Sequence, residues 1–297
     1  MPSYQFDWVD AFTDVPFGGN GCAVVHDAAA IPAETCKAYV RETSLVECTF
    51  LEPSDRADLK VRYFIAAREI PFAGHPTIAS VASMVNRGVV SLSGPRTEIT
   101  IETGAGIIPI TIEAGDTPRI RMTQKAPQFG ECADPELVAA VVGLTGADIA
   151  QAPQFVSTGL PFCITVLRDH EALRRARMDP EALERFRAAS AIPDADVMEP
   201  YLVTTTGVTE QGATFSRLLL APPHPAEDAF TGSATGCTGA YLWHHGLIDS
   251  PSYTAEQGHW MGRPGRAEVS VLGPRDAITG VEVAGTGVIL MEGTLTL

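Results

Sequence analysis

Apolar residues in this chain fall mostly into short runs, on successive or alternate positions, which is the pattern of strands rather than of long helices. Such runs predict strands at 22–26, 59–65, 98–102, 107–113, 162–167 and 213–220. Helical spacing is clearest after Gly74, where Ile78, Val81, Ala82 and Val85 share one face and Gly88 follows as a left-handed cap. Further helices are predicted at 33–41, 135–142 and 171–191.

The pattern occurs twice. Glu69-Ile-Pro-Phe72-Ala-Gly74-His75-Pro-Thr77, running through Ala82 to Gly88, is matched by Glu227-Asp-Ala-Phe230-Thr-Gly232-Ser233-Ala-Thr235, running through Ala240 to Gly246. Glu, Phe, Gly, Thr, Ala and Gly recur at one shift of 158 residues without a gap. A strand-like run precedes each copy and a helical run follows it. Two copies are too few for a solenoid and point to two homologous halves. The expected fold is α/β (α+β): two pseudo-symmetric domains, each a β-barrel or roll around a central helix. The first domain is placed at 1–124, with the last strand, 287–297, as a candidate to complete it. The second is placed at 125–286, with a link near 124–128.

Composition narrows the function. The 297 residues are ample for a sizeable core, and 45% hydrophobic against 19% charged is a globular balance. The net charge of −15 repels phosphate backbones and anionic lipid, so neither nucleic acid nor membrane is an expected partner. No apolar run is long enough to span a bilayer, and Met1-Pro-Ser-Tyr-Gln-Phe-Asp7 does not resemble a secretory signal. Cys22, Cys36, Cys48, Cys132, Cys163 and Cys237 show neither CxxC nor Cys/His spacing, so a cytoplasmic protein without a metal site is expected.

An anionic substrate would then need a local positive feature. Gly74-His75 and Gly232-Ser233 stand at helix N-termini, where unpaired N–H groups and the helix dipole favour a carboxylate. A pseudo-twofold arrangement would aim both at one cavity; the alternative is two tight strand–helix turns and nothing more. His75 could orient or protonate a substrate, or merely pack. Asp228, beside Glu227, lies on the rim of the same turn. Glu47 enters a predicted buried strand in Ser44-Leu-Val-Glu-Cys-Thr-Phe50, where burial would raise its pKa toward the range a proton shuttle needs. The alternative is a strand-edge glutamate facing water. Cys48 should point to the opposite face.

Five stretches together identify a resemblance: Asp10-Ala-Phe-Thr-Asp-Val-Pro-Phe-Gly-Gly-Asn20, Glu47-Cys-Thr-Phe50, Glu69 to Thr77, Glu227 to Ala234, and Gln257-Gly258 with Met261-Gly-Arg-Pro-Gly265. In this order they resemble the phenazine-biosynthesis isomerase (PhzF-like) family, within the diaminopimelate epimerase-like fold. The resemblance implies two domains facing a central cleft, a homodimer, and no metal or cofactor. It implies Glu47 as the catalytic acid/base, His75, Asp228 and Ser233 as its partners, and Asn20, Gly74, Thr231 and Gly232 around the substrate. Related epimerases carry a cysteine before each glycine. Ala73 and Thr231 stand there, so a two-thiol racemisation is excluded and a proton shift on a small carboxylate is expected. Gly21 and Thr235 replace residues the family often has as Pro and His, and the phenazine substrate is therefore not carried over. Two other readings stay open: a lyase or dehydratase using Glu47 or Asp228, and a carboxylate-binding or scaffold protein that keeps only the fold.

Overall fold

The computed structural model describes residues 1–190, 199–222 and 224–297. In the first half the strands are β1 (Ser3–Ala11), β2 (Asn20–Val25), β3 (Cys48–Glu52), β4 (Leu59–Phe64), β5 (Glu69–Ile70), β6 (Arg96–Thr103), β7 (Gly106–Glu113) and β8 (Arg119–Gln124), with helices α1 (Ala33–Thr43) and α2 (Gly74–Asn86). In the second they are β9 (Gln128–Cys132), β10 (Gln154–Ser157), β11 (Pro161–Val166), β12 (Tyr201–Thr204), β13 (Thr214–Leu219), β14 (Glu227–Asp228), β15 (Ser252–Gln257), β16 (Gly265–Leu272) and β17 (Gly280–Gly285). Helices α3 (Pro135–Val141), α4 (His170–Arg175), α5 (Pro180–Ala189) and α6 (Gly232–His244) belong to this half, and β18 (Gly287–Thr296) ends the chain.

Both halves are wired alike. β1–β2 is antiparallel, β2–β3 parallel, β3–β4 antiparallel, β4–β6 parallel, and β6–β7–β8 antiparallel. The sequence β10–β11, β11–β12, β12–β13, β13–β15 and β15–β16–β17 repeats those senses one for one. Each sheet curls around its own helix, α2 or α6. Both helices are 13 residues long, and their ends keep the shift of 158 seen in the sequence. A helix enclosed by strands must be apolar or small all round. Accordingly α2 buries Ile78, Ala79, Val81 and Met84, and α6 buries Ala234, Cys237, Ala240 and Leu242. Gly88 and Gly246 take φ of 69° and 70°, as left-handed caps. β18 pairs with β1 from Ser3↔Thr296 to Ala11↔Gly287, and β17 with β8, so the two halves share one continuous sheet.

The parallel pairs β2–β3 and β11–β12 are buried on both faces, which explains their unbroken apolar runs. In β2, Cys22 and Val24 face the core around α2, while Ala23 and Val25 face an outer cluster with Cys36 and Val40 of α1. In the second half Phe162 and Ile164 face α6, whereas Cys163 and Leu202 face α3, α4 and α5. The helix expected at 171–191 is two helices, because a residue before proline is pushed out of helical geometry. Asp179 precedes Pro180 and caps α5 instead, its side chain accepting from the Ala182 N–H. Ala191, the end of that expectation, lies outside the described residues.

Candidate active site

The repeated glutamates have one structural task. Arg62 of β4 grips Glu69 through two hydrogen bonds of 2.9 and 2.8 Å, and Arg217 of β13 grips Glu227 at 2.8 and 2.7 Å. Each bidentate pair holds the short strand, β5 or β14, that leads into a central helix. The two helices then meet head to head. A Cβ built on Gly74 would lie 2.3 Å from the Ser233 nitrogen and 2.4 Å from the Gly232 carbonyl carbon. The backbones touch, and only glycine permits it. Phe12 and Phe230 stack beside this junction with centroids 4.4 Å apart.

Around that contact the structure gathers Glu47, His75, Asp228, Ser233 and Asn20. Glu47 sits immediately before β3, not within it, and its side chain is 15% exposed. Cys48 turns the other way into the outer cluster, 3.6 Å from the Thr43 hydroxyl. Glu47 Oε2 lies 3.5 Å from Nδ1 of His75. Asn20, the first residue of β2, bridges the halves: its side-chain nitrogen is 3.0 Å from that same Nδ1, and donates to Asp228 Oδ1 at 2.6 Å and to the Phe230 carbonyl at 2.9 Å. The Thr231 hydroxyl donates to Asp228 Oδ2 at 2.6 Å, so Thr231 and Asn20 both position the carboxylate. The Ser233 side chain makes no hydrogen bond among the described residues.

Two residues that the sequence reading did not assign complete the site. Gln257 Nε2 donates to the Asp228 carbonyl at 2.8 Å, and its Oε1 accepts from the Thr231 N–H at 3.0 Å and from the Tyr201 hydroxyl at 2.9 Å. Gln257 precedes Gly258 in one of the stretches that carry the family resemblance, which is its signal in the sequence; Tyr201, at the start of β12, has none. Thr235 donates to the Thr231 carbonyl at 2.9 Å and lies 3.4 Å from the Tyr201 hydroxyl, which fixes the same network. Arg263 fastens the second half onto the 10–20 loop through Asp10 at 2.6 Å and the carbonyls of Gly18 and Gly19 at 2.9 Å.

Burial sets the charges. It drives the Glu47 carboxyl well above the usual glutamate range, and the negative charge of Asp228 adds to the shift. Asp228 is pushed up to about 6 by burial, against the lowering effect of Thr231 and Asn20. His75 is pushed down to about 3, chiefly by burial and further by the Arg263 charge, with the Gly21 carbonyl opposing. At neutral pH Asp228 is therefore ionised and the imidazole neutral, while Glu47 keeps its proton to higher pH than an ordinary glutamate. His75 Nε2 has no hydrogen-bond partner. The site is largely shielded from solvent: His75 is 2%, Asp228 3% and Ser233 5% exposed. Among the described residues no three His, Cys, Asp or Glu side chains are grouped to hold a metal ion, and no helix is long and apolar enough to cross a membrane.

Two curled sheets around facing helices define the diaminopimelate epimerase-like fold. The chain shares it with a hydroxyproline epimerase from Agrobacterium vitis at a TM-score of 0.67 and 14% identity, over 99% of this chain and 91% of that one. Within that class, residues 9–293 match the phenazine biosynthesis-like proteins, PhzC-PhzF, and the protein belongs to this family. A PhzF-family protein of Bacillus anthracis superimposes with a TM-score of 0.84 at 25% identity over the whole of both chains. An uncharacterised isomerase of Bacillus subtilis, YfhB, is 30% identical over 88% of each chain. The trans-2,3-dihydro-3-hydroxyanthranilate isomerase of Pseudomonas fluorescens is 29% identical over 97% of this chain and 98% of its own. The protein is an isomerase of this family.

Proposed function

We propose that the protein catalyses a cofactor-independent proton shift between two carbons of a small carboxylate, with Glu47 as the single acid/base. The observation that carries this reading is the placing of Glu47, 15% exposed and 3.5 Å from His75, where burial and the Asp228 charge raise its affinity for a proton. Glu47 delivers that proton to an electron-rich carbon of the substrate. The resulting carboxylate, 3.5 Å from His75 Nδ1, then takes a proton from the second carbon and is restored. Asp228 keeps Glu47 basic enough for the return step, because its charge opposes ionisation of its neighbour. The N-termini of α2 and α6 offer N–H groups and dipole for the substrate carboxylate. The Ser233 hydroxyl supplies a further donor. We also propose that 1–124 with 287–297 and 125–286 act as the two domains, and that the protein is a cytoplasmic homodimer. Light scattering should then give twice the 31.5 kDa chain mass, and a monomer at all concentrations would remove the dimer.

The deciding experiment is proton NMR in D₂O with a panel of unsaturated and amino carboxylates, on chelator-treated wild type and Glu47→Gln. Enzyme-dependent deuterium uptake at carbon that the variant loses supports the reading. Binding without exchange would favour a carboxylate-binding protein, and release of water from the substrate a dehydratase.

A pH profile tests the charge assignment. Activity should fall on the acid side near pH 6, where Asp228 takes a proton and loses an acceptor for Asn20 or Thr231. It should fall again at high pH as Glu47 loses its resting proton. In Asp228→Asn the alkaline limb should move to lower pH, since one of the two causes raising the Glu47 value is gone. An unmoved limb would show that Glu47 does not set it.

A further inference from the structure

The outer side of the second half carries a cavity of 790 Å³ that the chemistry above does not use. Arg174, Arg177 and Arg217 line it against one acid, Glu227, so its lining carries two surplus positive charges on a chain whose net charge is −15. Arg217 is already committed to Glu227 at 2.7 Å and to the Leu173 carbonyl at 2.8 Å. The other two guanidiniums meet no acid among the described residues. Arg174 makes no hydrogen bond or ion pair among the described residues; its guanidinium lies 4.0 Å from the centroid of the Trp260 ring. A guanidinium stacked on an indole is held flat, with its N–H edge left over for a planar anion. Arg177 spends one nitrogen on the carbonyls of Arg174 and Ala176, both at 2.7 Å, and among the described residues meets no acid.

Solvated arginines at a surface are ordinary. Two that lack acids among the described residues, and share one cavity with the apolar side chains of Leu219, Leu220 and Met178, are a different arrangement. Mutual repulsion of like charges would be relieved by an anion between them, and the apolar wall rewards a ligand with more than a charged head. We propose that this cavity binds an organic carboxylate with an apolar body, its carboxylate on the N–H groups of Arg174 and Arg177 and its body on Leu219, Leu220 and Met178. The site is separate from Glu47, and the inference does not depend on the reaction proposed for that residue.

Calorimetric titration of the full chain with benzoate, hexanoate, benzamide and inorganic phosphate tests it. Saturable binding of the two carboxylates is expected, with benzamide, which has the body without the charge, not binding. Arg174→Gln with Arg177→Gln should weaken benzoate at least about tenfold, the loss expected for a charge-assisted hydrogen bond. Arg174→Gln alone removes no protein hydrogen bond and should show part of that loss with unchanged thermal stability. Unchanged benzoate affinity in the double variant would place binding elsewhere and overturn the proposal. Phosphate binding as tightly as benzoate would reduce the site to a plain anion site and equally overturn it.

Discussion

Glu47→Gln is expected to lower turnover by about 10²- to 10⁴-fold, the range attached to a positioned acid/base, while leaving the fold intact or slightly more stable at neutral pH. Glutamine keeps the shape and most of the polarity but cannot carry a proton to carbon. The stability half of the expectation follows from the raised carboxyl. Below the ordinary glutamate value both folded and unfolded chains are protonated, and the group contributes nothing. Above it the unfolded chain releases the proton while the folded one retains it, so wild-type stability falls with rising pH until the folded-state value is passed. Glutamine lacks that loss. Thermal melts between pH 4 and pH 9 should therefore show the variant gaining on wild type as pH rises. Wild-type deuterium uptake by the variant would sink the catalytic assignment. Melts that stay parallel across pH would remove the raised carboxyl on which the mechanism rests.

Gly74→Ala should damage both the fold and the site. The added carbon would lie 2.3 Å from the Ser233 nitrogen and within 2.6 Å of two Gly232 backbone atoms. Backbone cannot rotate aside as a side chain can, so the helices must separate. Overpacking of this kind costs about 1–3 kcal/mol, and more where backbone must shift. Turnover should suffer beyond stability, because displacing α6 also displaces Ser233 and, through Thr231, Asp228. A misplacement of about 1 Å can cost on the order of 10²-fold. Gly115→Ala is the matched control: the added carbon meets nothing nearer than 3.6 Å, and both properties should stay at wild-type level. Near-normal activity and melting in Gly74→Ala would mean that the head-to-head contact does not hold the site together.

The repeat was the most legible feature of the chain, for a physical reason. Both central helices must start without a side chain because they start against each other, and both must end at a left-handed residue. Those demands fix glycines at 74, 88, 232 and 246, and the common shift follows. The glutamates at 69 and 227 repeat for a reason the sequence did not disclose, since their partners Arg62 and Arg217 lie in neighbouring strands. The break at Asp179-Pro180 is hidden by apolar spacing, which continues across the proline that interrupts the helix.

Glu47, His75, Asp228 and Ser233 could be nominated from motifs because local geometry, a place ahead of a strand, in the short strand before a helix or at a helix start, holds each of them. Burial of those residues could not be read the same way. Whether Glu47 keeps its proton depends on how much water the opposite half removes and on how near it brings Asp228. Local sequence carries neither quantity. By itself the sequence determined two homologous halves, their central helices and the family's residues at each turn, because periodicity and glycine positions are local demands. Only the tertiary structure decided that the helices touch, that Tyr201 and Gln257 lock the Asp228 turn, and that the site is largely shielded from solvent. Those properties arise between segments up to two hundred residues apart, where desolvation and contact, not propensity, set the outcome.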